Sequence, residues 1–234
     1  MRYLHKEAGL TMKQFIDNNK FDNKICFCGR LDPLARGKIL ILEGSECKNV
    51  KEFLNMNKTY QFEIIIGIQT KSDDPLGIIE NIDINYTNDI IFNLKQLLSN
   101  YKLGLFEQKF HNYSSKTING KPLWEYTKNN INFDNPTHKV NLYSLEIRKN
   151  KKYNFNTWRD KIINQIDSID KNKDFDQKNI IKQWKELNID DLISIPVEIN
   201  VSSGFYVRQF VRDLSEKINY PLLTFDINRI NLFK

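Results

Sequence analysis

The residues best suited to chemistry sit in one short loop. In Gly29 to Gly37, GRLDPLARG, the carboxylate of Asp32 lies between Leu31 and Pro33, and a glycine at each end permits tight turns. Such a loop can hold an acid rigidly, although an aspartate before a proline is, taken alone, most often a turn-former. Two further candidates are Tyr60, at the head of YQFEIIIGI, and Arg208, within SSGFYVRQFVRDL. Alone, the first reads as a strand aromatic and the second as a surface arginine. Cys26 and Cys28 do not read as metal ligands, because one residue separates them and no nearby His or Cys pair supplies the second half of a four-ligand site.

The elements that must position these residues are partly legible. The Cys26 to Leu42 stretch reads as a Gly- and Pro-punctuated loop feeding a buried apolar run, KILIL. Tyr60 to Ile68 is dense in β-branched and aromatic residues and is followed by the turn-forming KSDDPLG, so a strand enters a loop there. Ile90, Ile91, Leu94, Leu97, Leu98 and Tyr101 recur at three and four residues behind Thr87 and Asn88, predicting a capped helix with one apolar face. Phe106 to Asn130 interleaves aromatics with Lys109, Lys116 and Lys121 and ends in PLWEYTKNN, a candidate RNA-contacting arm with a short helix. From Lys149 to Asp191, Trp158, Ile162, Ile163 and Ile166 keep helical spacing in a polar background, which predicts two polar surface helices. A strand at Val197 to Val201, a segment turning helical near Arg208 and a last strand at Leu222 to Ile227 complete the chain. The expected class is α/β of the α+β type, with an open, largely antiparallel sheet flanked by helices in a single domain over residues 1–234.

Composition sets broad bounds. With 234 residues and a net charge of +6, the chain suits a polyanionic partner, though charge alone is weak evidence. Three cysteines in a chain this long point to reduced thiols rather than a disulfide scaffold. No apolar stretch approaches the ~20 residues that a bilayer demands, and MRYLHKEAG lacks a signal-peptide core. A soluble, intracellular, monomeric protein is expected.

Four blocks, in order, carry a resemblance to a known family. Gly29 to Gly37 is similar to the Gly-x-Leu-Asp-Pro-x-Ala-x-Gly signature of the TruB family of tRNA pseudouridine-55 synthases. Lys58 to Tyr60 resembles the family's Lys-x-Tyr segment and is followed by an acidic turn, Thr70 to Gly77; Tyr113, Ser114 and Gly120, with Gln108 upstream, resemble a Tyr-Ser-Ala segment in an RNA-gripping insertion. Gly204, Tyr206, Val207 and Arg208 resemble the Gly-Thr-Tyr-Ile-Arg motif. The 149–191 segment has no counterpart of similar length in this comparison and reads as an added helical insertion.

The resemblance implies a pseudouridine-synthase-like fold and isomerisation of uridine in folded RNA, with the tRNA T-arm as partner and no metal or cofactor. It makes Asp32 the catalytic carboxylate, Arg208 the guanidinium that clamps it through two parallel hydrogen bonds, and Tyr60 the ring that stacks on a flipped base and assists proton removal. Tyr206 and Ile227 fall at base-pocket positions, and Lys6 near the family's Lys-Pro-x-Gly opening, with Glu7 in place of the proline. Tyr113 belongs to the gripping segment. Phe27 stands in Cys-Phe-Cys where Gly-His-Thr is usual, and can fill the space of flipped bases without hydrogen bonding; Phe110 and His111 replace a common proline pair. A C-terminal RNA-binding module of the kind many family members carry is not expected here. Two alternatives are a synthase acting on ribosomal RNA, through the shared Arg30-Leu31-Asp32 core, and a noncatalytic RNA-binding module on the same fold.

Overall fold

A computed structural model of the chain describes residues 1–173 and 175–233; Asp174, inside the 149–191 segment, and Lys234 lie outside the described residues. In chain order the elements are β1 (Arg2–Lys6), α1 (Met12–Asn19), β2 (Ile25–Cys28), β3 (Arg36–Glu43), a 3-10 turn (Gly44–Asn49), α2 (Val50–Leu54), β4 (Asn57–Ile66), β5 (Ile68–Thr70) and β6 (Ile79–Ile82). There follow α3 (Asn88–Ser99), β7 (Gly104–Lys109), β8 (Thr117–Ile118), β9 (Lys121–Pro122), α4 (Leu123–Lys128), β10 (Thr137–Ile147) and β11 (Lys151–Asn154). The chain ends with α5 (Phe155–Ser168), α6 (Gln177–Glu186), β12 (Asp191–Val201), α7 (Val207–Ile218) and β13 (Leu222–Phe233).

Among the described residues one sheet runs β1-β3-β13-β4-β12-β10-β7, with β2 on β3 and β11 on β12. All of its pairings are antiparallel except β13 with β3. The central strands are buried on both faces, which is why β4 and β12 read as near-continuous apolar runs. Along β4 the period of two sends Tyr60, Phe62, Ile64 and Ile66 into the larger core with α3 and α7, and Ile65 into a second core. Glu63 shares that second face, where Lys151 Nζ (2.6 Å), Ser194 Oγ (2.6 Å) and the Tyr153 hydroxyl all donate to its side chain.

Most predicted elements are present, with three corrections. Cys26 to Cys28 is strand, not loop: β2 zips onto β3 from Ile25↔Glu43 to Cys28↔Leu40. The last strand runs to Phe233, because β13 continues to pair β4 as far as Asn57. The 149–191 helices are not polar decoration. Phe155, Trp158, Ile162 and Ile166 of α5 and Ile180 and Trp184 of α6 are buried, and with Leu192, Leu223 and Phe225 they build the second core. Their apolar stripes are narrow, so composition hid what spacing showed.

Candidate active site

The Gly29 to Gly37 loop joins β2 to β3, and two buried cations fix it through its own carbonyl groups. Lys6 Nζ donates to the carbonyls of Asp32 (3.1 Å), Pro33 (3.1 Å) and Ala35 (2.7 Å), and Arg229 donates to those of Gly29 (3.2 Å) and Lys38 (2.8 Å). Burial lowers the Lys6 ammonium to about 8, while Asp32 and Glu7 oppose the fall. At the end of the loop Gly37 has φ +124, and a Cβ there would stand 2.4 Å from the Arg229 carbonyl oxygen, so only glycine lets β13 approach. Leu34 anchors the loop's other side in the second core.

Arg208 lies at the second position of α7, just after Tyr206, whose backbone is pinned both ways by Gln108: the Tyr206 N–H donates to Oε1 (2.9 Å) and Gln108 Nε2 donates to the Tyr206 carbonyl (3.1 Å). The guanidinium is buried and reaches three acceptors within 3.2 Å, with Asp74 Oδ2 farther off at 3.6 Å from Nη1. Its Nε is 2.9 Å from Asp32 Oδ2, Nη1 donates to the Ser72 carbonyl (2.9 Å), and Nη2 donates to the Tyr113 carbonyl (3.2 Å). The two-bond fork expected on Asp32 is therefore absent; backbone carbonyls from two other loops take the terminal nitrogens. This leaves Asp32 Oδ1 without a partner among the described residues, on a side chain that is 41% exposed. Burial works against the Arg208 charge, but Asp32, Asp74 and Asp73 together outweigh it and hold the guanidinium above its ordinary value.

Behind Arg208 is a buried polar layer that the sequence did not announce. The acidic turn carries Ser72, Asp73 and Asp74; Ser72 Oγ and the Leu76 N–H donate to Asp74 Oδ1 (2.7 and 2.9 Å). Burial raises both carboxyls, that of Asp73 to about 6 despite Arg212 at 2.9 Å. His111 is buried beside Arg208, which together keep its imidazole well below the ordinary value and hence neutral. The Tyr113 N–H donates to His111 Nδ1 (3.1 Å), so Nε2 carries the proton and points it at Asp73 Oδ2, 2.9 Å away. His111 thus ties the arm bearing Tyr113 to the turn bearing Ser72, and both ends hold Arg208.

A cleft of about 320 Å³ opens over this layer, lined among others by Asp32, Tyr60, Tyr206, Arg208 and Ile227. Five of the eight expected site residues are thus together. Ile227 arrives through a break in register between Phe225 and Asn228, where Asp226 takes φ +48 and is held by Arg36 through bonds of 2.8 and 3.1 Å. Burial pushes the Tyr206 phenol above its usual value. Lys6 is a correction: it is fully buried under the loop rather than facing a substrate, because its ammonium is spent on carbonyl groups. Tyr113 reaches the site through its backbone, and its neighbours Ser114 and Ser115 line the cleft instead. Phe27 is not among the lining residues; its ring packs on the larger core with Arg30 stacked over it at 5.6 Å. Lys58 and Arg229 do line the cleft and were missed as site residues; their placement depends on the β4–β13 pairing, which local sequence does not reveal. Among the described residues no group of three or more His, Cys, Asp or Glu side chains is arranged to hold a metal ion.

The fold is a mixed, largely antiparallel sheet flanked by helices. A solved structure described as a crystal structure of a Cbf5–Nop10–Gar1 complex shares it, with a TM-score of 0.50 at 12% identity over 97% of this chain and 47% of that one. The chain belongs to the TruB family: residues 16–162, more than half its length, match the model described as TruB family pseudouridylate synthase (N terminal domain). It is 25% identical over 233 residues to the tRNA pseudouridine synthase B of Staphylococcus aureus, covering 97% of this chain and 64% of that protein. It is 29% identical over 210 residues to the enzyme of that name from Lactobacillus gasseri, covering 88% and 58%. The chain thus spans less than two thirds of the length of these relatives. Among the described residues no helix is long and apolar enough to cross a membrane.

Proposed function

We propose that this protein isomerises uridine to pseudouridine in RNA, with the T-arm of tRNA as substrate. The observation that carries the reading is the Asp32–Arg208 contact of 2.9 Å inside a cleft also lined by Tyr60, Tyr206 and Ile227. The reaction breaks the N1–C1′ bond, turns the base over and forms a C5–C1′ bond, while the proton on C5 leaves and one is gained at N1. Atoms and electrons balance without a redox partner. Asp32 supplies the carboxylate, at the sugar or at the base, and the 41% exposure of its side chain in the cleft supports that role. Arg208 holds its Oδ2 in place.

Tyr60 stacks on the flipped uracil, and its hydroxyl assists removal of the C5 proton; Tyr206 and Ile227 enclose the base. The names of the two relatives support tRNA as the substrate. The protein works without metal or organic cofactor. Asp32→Asn tests the assignment because it removes the carboxylate while keeping shape: turnover should vanish and RNA affinity should stay within a few-fold. A variant that still turns over at the parent rate refutes Asp32 as the catalytic acid.

A further inference from the structure

The 149–191 segment touches both halves of the catalytic pair at one remove. On the arginine side, Trp184 of α6 is fully buried and its Nε1–H donates to the Pro75 carbonyl (3.0 Å), and the Ile79 N–H donates to Gln183 Oε1 (3.0 Å). Those two bonds grip the turn whose Ser72 carbonyl accepts from Arg208, and Leu76, Ile78 and Ile79 of the same turn pack on the second core. On the aspartate side, Ser168 at the end of α5 donates to the Gly9 carbonyl (3.0 Å), and the Gly9 N–H donates to the Pro33 carbonyl (2.9 Å), next to Asp32. The approach is close: a Cβ on Gly9 would stand 2.2 Å from Ser168 Oγ. Leu34 meets α5 and α6 in one core.

We propose that α5 and α6 form a positioning brace that sets the Asp32–Arg208 geometry, with Trp184 as the positioning residue on the arginine side. The brace rests on the pseudouridine-synthase reading for its effect on rate, but not for its effect on the turn. Neither helix lines the cleft, so the brace acts on the catalytic pair and not on the base pocket itself. The bond from Trp184 satisfies a buried carbonyl, and losing such a donor loosens the turn locally.

A matched pair of substitutions tests this. Trp184→Phe removes the indole donor, whereas Trp158→Phe trims a ring in the same core whose Nε1 has no hydrogen-bond partner among the described residues. Hydrogen exchange of the 70–79 peptide should quicken about tenfold in Trp184→Phe and stay near the parent in Trp158→Phe. Single-turnover pseudouridine formation should slow by a similar factor in the first variant alone, with RNA affinity unchanged in both. Gln183→Ala, which disturbs no ring, should quicken exchange at the Ile79 amide and decides the matter if Trp184→Phe does not fold. Equal exchange in the two tryptophan variants, or parent-like exchange in Gln183→Ala, overturns the brace. A parent protein that makes no pseudouridine overturns the functional reading while leaving the exchange comparison to judge the brace.

Discussion

Replacing Arg208 by lysine keeps the charge and removes the geometry, and the structure sets how much that costs. Three acceptors converge on the guanidinium: Asp32 Oδ2 at 2.9 Å, the Ser72 carbonyl at 2.9 Å and the Tyr113 carbonyl at 3.2 Å. An ammonium on a flexible stem lacks the planar fork that spans these sites, so it cannot serve all three and at least one partner loses its donor. If it stays on Asp32 alone, the Ser72 and Tyr113 carbonyls are left buried at ~1–3 kcal/mol each. For a domain of this size that lowers the melting temperature by roughly 5–20 °C. If it moves to a carbonyl, Asp32 loses its clamp; because that carboxylate is 41% exposed, solvent screening cuts the cost to about 1–2 kcal/mol, or roughly 10-fold in rate. Thermal melting and single-turnover kinetics of Arg208→Lys should therefore show a loss in at least one of these, and RNA affinity should fall less than the rate. A variant within about threefold of the parent rate and with an unchanged melting temperature refutes the three-acceptor account.

Lys6→Met should slow turnover at least tenfold without weakening RNA binding, because the Asp32, Pro33 and Ala35 carbonyls all lose one donor; a rise in KM alone contradicts a purely supporting role. Lys58 is buried and lowered to about 8, by burial first and by Arg229 second. Its folded value lies below its unfolded one, so the fold is penalised at neutral pH and gains stability as pH rises from about 8 toward 10.5. Denaturant melts should then show the parent gaining on Lys58→Met across that window, and a constant difference is incompatible with a buried ammonium. RNA affinity should fall steeply with salt, given the net charge of +6 and the arm bearing Lys109, Lys116 and Lys121; equal affinity at 50 and 300 mM salt, on the order of a sixfold range, argues against an electrostatic grip.

How much of the site could be read in advance depended on whether its parts are local. The GRLDPLARG loop carries its own turn chemistry, and the β-branched run at Tyr60 and the helix beginning near Arg208 declare their periods, so these were legible. What the sequence concealed is set by partners far along the chain. Lys6 is driven under the loop by its register with Gly37, not drawn to a substrate. Arg208 meets one carboxylate oxygen rather than two because loops at Ser72 and Tyr113 converge on it. His111 looks like an idle replacement for a proline until Asp73 is found against it. The α5 and α6 helices look solvated because polar and charged residues together outnumber the apolar stripe that includes Trp158 and Trp184.

The central claim is most directly tested by incubating the protein with an unmodified tRNA transcript and mapping pseudouridine by carbodiimide labelling and primer extension, with Asp32→Asn alongside. The expected result is one new stop in the T-loop that is absent with the variant; tight binding with no stop on this transcript or on total cellular RNA contradicts it.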